Sequence, residues 1–290
     1  MNVSPVSPPA SEFSASQRAA LVKLLTDEDS AVYHAVRAKI LSAGPEAAGW
    51  LRPHVLSNDP LLRRRARELV QHFERLETDT AFLAFCLGHG EEFDLEEGAL
   101  LLARTEYPEA NTAAYRAQLD QFADALRERV DFTGGGQEIL ADVNQYFFGV
   151  LGFAGNAKNY YEPQNSYLNR VIDRRTGNPI SLCLAYLLLV RRIGLPVAGI
   201  GLPGHFICRY QTPADELYLD VFNGGRLMTK AHCVQYLQQG KHGLGEDFLV
   251  PVTARRLLTR MCSNLHQIYV QLEQSDKTLR LQRYLVALAR

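Results

Sequence analysis

The chain has 290 residues, 47% of them apolar and 22% charged, with a formal net charge of −1. This is the balance of a globular protein long enough to bury a substantial core. It leaves no global electrostatic reason to expect nucleic acid or an anionic membrane as partner.

The longest apolar run, CLAYLLLV, falls far short of the ~20 residues that cross a bilayer. Five cysteines (Cys86, Cys183, Cys208, Cys233 and Cys262) are odd in number and scattered, with no CxxC spacing. With no secretory leader recognisable, free thiols in a reducing cytoplasm are expected.

Residues 1–14, with three prolines and four serines, have no helical period and read as a mobile arm. From Ala15 the pattern turns helical. LLTDEDSAVYHAVRAKIL aligns with HVLSNDPLLRRRARELVQ, so that Asp29 matches Asp59, Val32 matches Leu62, Arg37 matches Arg67 and Ile40 matches Val70. Each copy has an aspartate as N-cap followed by apolar residues at helical spacing. Two such copies suggest a pair of HEAT-like repeats, and an ordinary helical array is an equal alternative. The run RRRAR at residues 63–67 lies on the second helix, where its charges spread around the cylinder as a solvated face.

FDLEEGALLLARTEYP opens a second helical section, with Asp94 and Glu97 at capping-box spacing and Pro108 beyond its end. AAYRAQLDQFADALRERV continues it, three glycines at residues 134–136 interrupt, and EILADVNQYFFGVL resumes. From Val197 the period becomes that of strands: VAGIGLP, HFICRYQ and ELYLDVF, with GEDFLVPVT as a further candidate. Residues 254–290 return to helix.

The stretch TGNPISLCLAYLLLVRRIGLP carries the chemistry. Asn178 is suited to cap a helix, Pro179 to its first position and Ser181 to its third. A helix N-terminus lowers a thiol's pKa and can stabilise an oxyanion, yet none of these residues is cysteine. Cys183 is about 200° around the helix from Ser181 and sits among leucines, a setting that favours a buried, inert thiol. His205 begins one expected strand and Asp220 ends the next, so adjacent antiparallel strands would bring them together as a histidine and its orienting carboxylate.

YYEPQNSYLNRVIDRRTGNPISL, LLVRRIGLPVAGIGLPGHFICRY and LYLDVFNGG together resemble the SirB-type transglutaminase-like family, over roughly residues 91–230. The resemblance implies an α+β, predominantly α fold: a transglutaminase-like (papain-like) core with a central helix on a small antiparallel sheet, preceded by HEAT-like helices. The implied domains are an arm at 1–14, HEAT-like helices at 15–90, the transglutaminase-like domain at 91–253 and a helical tail at 254–290. His205 and Asp220 match the catalytic histidine and aspartate of active relatives. The nucleophilic cysteine's place falls near Pro179, and here the sequence reads NPIS.

The expected function is therefore a non-catalytic peptide- or protein-binding or regulatory module with a vestigial His205–Asp220 dyad. The alternative is a hydrolase or acyltransferase on amide bonds that uses Ser181 or Cys183 with His205 and Asp220. The polar cluster before the helix supplies candidate ligand-binding residues: Asn165, Tyr167, Asn169, Arg170, Arg174, Arg175 and Asn178, with Tyr160 and Tyr161 beside them. Guanidinium donors, stacking faces and a helix N-terminus suit an acidic or peptide ligand, and a polar network bracing the helix start is an equal alternative. The eight histidines show no metal-ligand spacing, and there is no dinucleotide or Walker fingerprint, so no metal or cofactor is expected. A protein or peptide partner is expected, with neither membrane nor nucleic acid favoured.

Overall fold

The structure is a computed structural model that describes residues 13–239 and 246–290. Most of the expected N-terminal arm, residues 1–12, lies outside the described residues. The chain divides into two compact units, the first running to Ala81 and including Arg104–Pro108, the second formed by Phe82–Ala103 with Glu109–Arg290.

The first unit is helical: α1 (Ala15–Leu24), α2 (Ser30–Ser42), the short α3 (Ala47–Leu51), a 3-10 turn over Arg52–Leu56, and α4 (Pro60–Gly88), which runs on into the second unit. Both aspartates expected as caps act as such. Asp29 accepts from the Ala31 N–H at 2.7 Å, and Asp59 from the Leu61 N–H at 2.8 Å. Leu25, Ile40, Leu51 and Phe73 are at the centre of this unit's core. The basic run is the expected solvated face only in part: Arg64 and Arg67 are exposed, while Arg63 and Arg65 are half-buried. Arg63 donates to the Ser57 carbonyl, while Arg65 donates to the carbonyls of Leu25 and Asp27 with its guanidinium 3.9 Å from the Tyr33 ring centroid. Arg65 closes the α1–α2 loop and Arg63 the turn before α4, each on carbonyls that have no helical partner.

The second unit is α+β. Its helices are α5 (Leu95–Arg104, whose last residue falls to the first unit), α6 (Thr112–Arg127), α7 (Gly136–Asn144), α8 (Leu168–Arg174), α9 (Pro179–Arg192), α10 (Lys230–Gln239), α11 (Ala254–Gln271) and α12 (Ser275–Leu288). Two short strands, β1 (Ala154–Gly155) and β2 (Thr176–Gly177), pair in parallel just before α9. The main sheet is an antiparallel meander of β3 (Val197–Leu202), β4 (His205–Gln211), β5 (Glu216–Asp220) and β6 (Arg226–Met228).

α9 is the hub. Every residue from Pro179 to Val190 is buried, as in a helix apolar on all sides. It packs on β3 and β4 and against α6, α8 and α11, and each fully buried leucine contributes roughly 1.5–3 kcal/mol. GEDFLVPVT does not form the expected strand. Residues Glu246–Leu249 make a 3-10 turn, and only a single bridge joins Pro251 to Ile200. Pro251 has no N–H to offer a ladder, so pairing shrinks to that bridge and the Val252 N–H on the Gly199 carbonyl at 2.9 Å.

Candidate functional site

The start of α9 is anchored by amide and hydroxyl groups. Asn178 Oδ1 accepts from the Ser181 N–H at 3.0 Å, and Ser181 Oγ accepts from the Asn178 N–H at 3.1 Å, forming a reciprocal cap. Ser181 Oγ also donates to the Asn165 carbonyl. Asn178 Nδ2 reaches Ser166 Oγ at 2.9 Å, and Asn165 Nδ2 donates to the Asn159 carbonyl at 2.7 Å. This network fixes the 156–166 loop to the helix start and leaves Pro179 at the first helical position.

The β3–β4 turn presents the other side. Gly204 has φ +71, a conformation that favours glycine, and His205 follows as the first residue of β4. Cys208 pairs with Leu219, and extending that register sets Ile207 opposite Asp220. His205, two residues earlier, shares Ile207's face and reaches Asp220 diagonally. His205 Nε2 lies 3.0 Å from Asp220 Oδ1. The ring N–H is not directed at the oxygen, so the pair is a close contact of imidazole and carboxylate with poor hydrogen-bond alignment. Asn223 Nδ2 donates to Asp220 Oδ2 at 2.8 Å. Burial works to raise the Asp220 pKa, but His205 and Asn223 outweigh it and hold the carboxyl below its ordinary value.

Two lobes of one groove share His205, with Asp220 in the larger one alone. The larger, about 710 Å³, has an apolar floor of Leu202, Ile207, Met228 and Cys233 with Arg226, His232 and Tyr236 around it. The smaller, about 480 Å³, is bordered by Tyr161, Asn178, Arg260, Asn264 and Gln267. Tyr160, Pro179, Gly204 and His205 line both.

Neither alternative nucleophile lines either lobe. Ser181 is fully buried in the cap described above. Cys183 is fully buried, its Sγ 3.5 Å from the Phe206 carbonyl oxygen, and burial pushes its thiol pKa well up, with Cys208 and Asp220 adding to the effect. Cys233, at the larger lobe, is pushed up to about 11 by burial first and the charges of Glu216 and Asp220 second.

The expected ligand-binding residues divide. Tyr160, Tyr161 and Asn178 border the groove, while Asn165, Tyr167 and Asn169 are buried away from both lobes. Tyr167 Oη meets Tyr269 Oη at 3.0 Å inside the protein. Arg170 pairs with Asp173 at 3.1 Å and Arg174 with Glu162 at 2.7 Å. Arg175 closes α8 at φ 56 and lays its guanidinium over Phe122 and Phe153. These three arginines brace the polar loop and line neither lobe.

Sequence reading missed Tyr236, Arg226, His232 and the α11 side chains Arg260, Asn264 and Gln267. The one available signal was the spacing of the last three, which puts polar groups on one face of an otherwise amphipathic helix. Among the described residues, no group of three or more His, Cys, Asp or Glu could hold a metal ion, and no helix is long and apolar enough to cross a membrane.

Residues 113–263, just over half of the chain and the span that holds α9, the main sheet and most of the groove lining, match the family described as the transglutaminase-like superfamily. The chain belongs to the transglutaminase-like superfamily. Its transglutaminase-like relatives include a UPF0162 protein of Xylella fastidiosa (strain Temecula1 / ATCC 700964), 36% identical over 196 residues, which are 66% of this chain and 70% of that protein. A UPF0162 protein of Pseudomonas aeruginosa is 29% identical over 181 residues, 60% of this chain and 64% of the relative. F-box only protein 21 of Homo sapiens is 35% identical over 136 residues, 44% of this chain and 21% of that protein. No solved structure matches the chain.

Proposed function

We propose that this transglutaminase-like protein is a non-catalytic module whose groove binds a peptide or a segment of a partner protein. One observation carries the reading. Pro179, the α9 residue that lines both lobes together with His205, has no nucleophilic atom, while Ser181 and Cys183 are buried and line neither lobe. The His205–Asp220 pair is then a remnant dyad, since Cys233, the thiol that lines the larger lobe, is itself buried with its pKa pushed up to about 11. Two lobes that share Tyr160 and His205 offer adjacent seats for successive residues of an extended peptide. The SirB-type resemblance adds a regulatory role to the same proposal.

The rival reading, an amide hydrolase or acyltransferase, draws on the 3.0 Å separation of His205 Nε2 and Asp220 Oδ1. One experiment separates the two. The native chain is treated with fluorophosphonate and chloroacetamide probes, with site-resolved mass spectrometry, for wild type and His205→Ala. In parallel, a random short-peptide library is passed over the immobilised chain. The binding reading expects no His205-dependent labelling of Ser181 or Cys183, and retained peptides that are lost on Tyr160→Ala. Labelling of either residue that disappears with His205→Ala would overturn it.

A further inference from the structure

Arg260 is the cation of the smaller lobe. Its Nη2 donates to the carbonyls of Leu202 at 2.8 Å and His205 at 3.3 Å, the two residues that flank the Pro203 and Gly204 turn. The hairpin that presents His205 therefore also orients this guanidinium. Among the described residues no carboxylate lies within ion-pair distance of it. Arg192 is paired with Glu96 and Asp120 and Arg174 with Glu162; Arg260, like the buried Arg255, is held by backbone carbonyls instead, but unlike Arg255 it borders a cavity. Burial lowers the Arg260 pKa, with Tyr160 and Tyr236 partly offsetting it. A cation taken partly out of water without a counter-charge is costly, and an anionic ligand removes that cost.

The rest of the lobe agrees in charge and shape. Asn264 and Gln267 follow Arg260 by one and two turns of α11 and line the same space. Their amides supply donors and acceptors but no charge. Among the described residues lining the lobe there is no Asp or Glu and no second Arg or Lys. A single fixed positive charge with neutral amides matches a monoanion, whereas a phosphate dianion calls for more cations.

We propose that the smaller lobe is a carboxylate subsite: Arg260 receives a carboxylate of the bound peptide, and Asn264 and Gln267 complete its hydrogen bonding. The carboxylate is either the peptide's C-terminus or an Asp or Glu side chain. The assignment rests on the peptide-binding reading of the groove, and its test is chosen to fail separately from it.

The primary probe is N-acetylglycine, a minimal C-terminal carboxylate, with N-acetylglycinamide as its neutral partner. Both are titrated into the full chain carrying nitrogen-labelled arginine, and the Arg260 Nε–Hε resonance is identified by its loss in Arg260→Lys. The expected result is a saturable shift of that resonance with the acid and none with the amide; an unmoved resonance overturns the subsite. Peptides retained from the random library then locate the carboxylate by two arms, C-terminal amidation and replacement of Asp or Glu by Asn or Gln. One arm should weaken binding roughly 10- to 100-fold in wild type. The same change should cost nothing in Arg260→Gln, with Arg256→Gln as the control on the same helix and thermal melting to confirm folding. A loss of equal size in both backgrounds overturns the proposal. A shifted resonance without any retained peptide ends the peptide reading and keeps the subsite, while retained peptides indifferent to both arms do the reverse.

Discussion

His205 Nε2 and Asp220 Oδ1 lie 3.0 Å apart across adjacent strands, with Asn223 on the other carboxylate oxygen. The Asp220 pKa is held below its ordinary value despite burial. A carboxyl depressed in the folded state stabilises fully above its unfolded pKa of ~4, and that contribution is lost as pH falls through the lower folded value. Urea unfolding of wild type and Asp220→Asn should differ by about 1–3 kcal/mol at neutral pH, and the gap should narrow on acidification. In His205→Ala one lowering influence is gone, so the contribution should be smaller and its loss complete at a higher pH. A gap that does not change with pH would mean that the carboxylate's charge contributes nothing here.

Ser181, a candidate nucleophile from sequence, serves the fold. Its hydroxyl accepts from the Asn178 N–H and donates to the Asn165 carbonyl, all three residues being buried. Ser181→Ala removes both bonds and leaves the Asn178 N–H and the Asn165 carbonyl only their 3.2 Å bond to each other, at about 1 kcal/mol. Chemical denaturation should show that loss with binding at the groove unaltered. A variant of wild-type stability would remove the structural role and return Ser181 to the candidate nucleophiles.

What could be read in advance follows the range of the forces involved. The caps at Asp29, Asp59 and Asn178 and the turn before His205 are local: a side chain, a few neighbouring N–H groups and a required φ determine each. The His205–Asp220 meeting was legible because strand alternation and a short meander leave few registers. Arg170, Arg174 and Arg175 were misleading because the donors that suit a ligand suit Asp173, Glu162 and an aromatic stack as well. Arg260 was silent for the opposite reason: only the docking of α11 beside the β3–β4 turn makes it part of the groove.

Arg255 is buried at 6% exposure with no carboxylate partner among the described residues, yet every branch of its guanidinium is used. It donates to the carbonyls of Cys86 and His89, at and beyond the end of α4, and to those of Ala287 and Leu288, at the end of α12. Helix C-terminal carbonyls lack helical partners and carry partial negative charge, so one arginine satisfies two helix ends. Arg255→Met should destabilise the chain by about 3 kcal/mol or more. Arg255→Lys should recover little of this, because an ammonium cannot span four acceptors in the guanidinium plane. Thermal and urea unfolding of both variants is the check, and near-wild-type stability of the lysine variant would show that charge alone suffices.

Pro179→Cys tests the waist of the groove directly. Position 179 opens α9, where unpaired N–H groups and the helix dipole favour a thiolate, and it borders both lobes beside His205. The native thiols offer a quiet background, since burial drives Cys86 up to about 12 and Cys233 to about 11. Loss of the proline removes a preorganised φ but no hydrogen bond, so the fold should persist. The introduced thiol should react with chloroacetamide at neutral pH about tenfold faster than an ordinary exposed cysteine. Adding His205→Ala should slow the reaction and move its pH midpoint upward. That pair of results would mean that the groove retains the electrostatics of a nucleophile site and lacks only the atom. A thiol that labels slowly and ignores His205 would mean that Pro179 does not stand where a nucleophile would, and the remnant-dyad reading would fall with it.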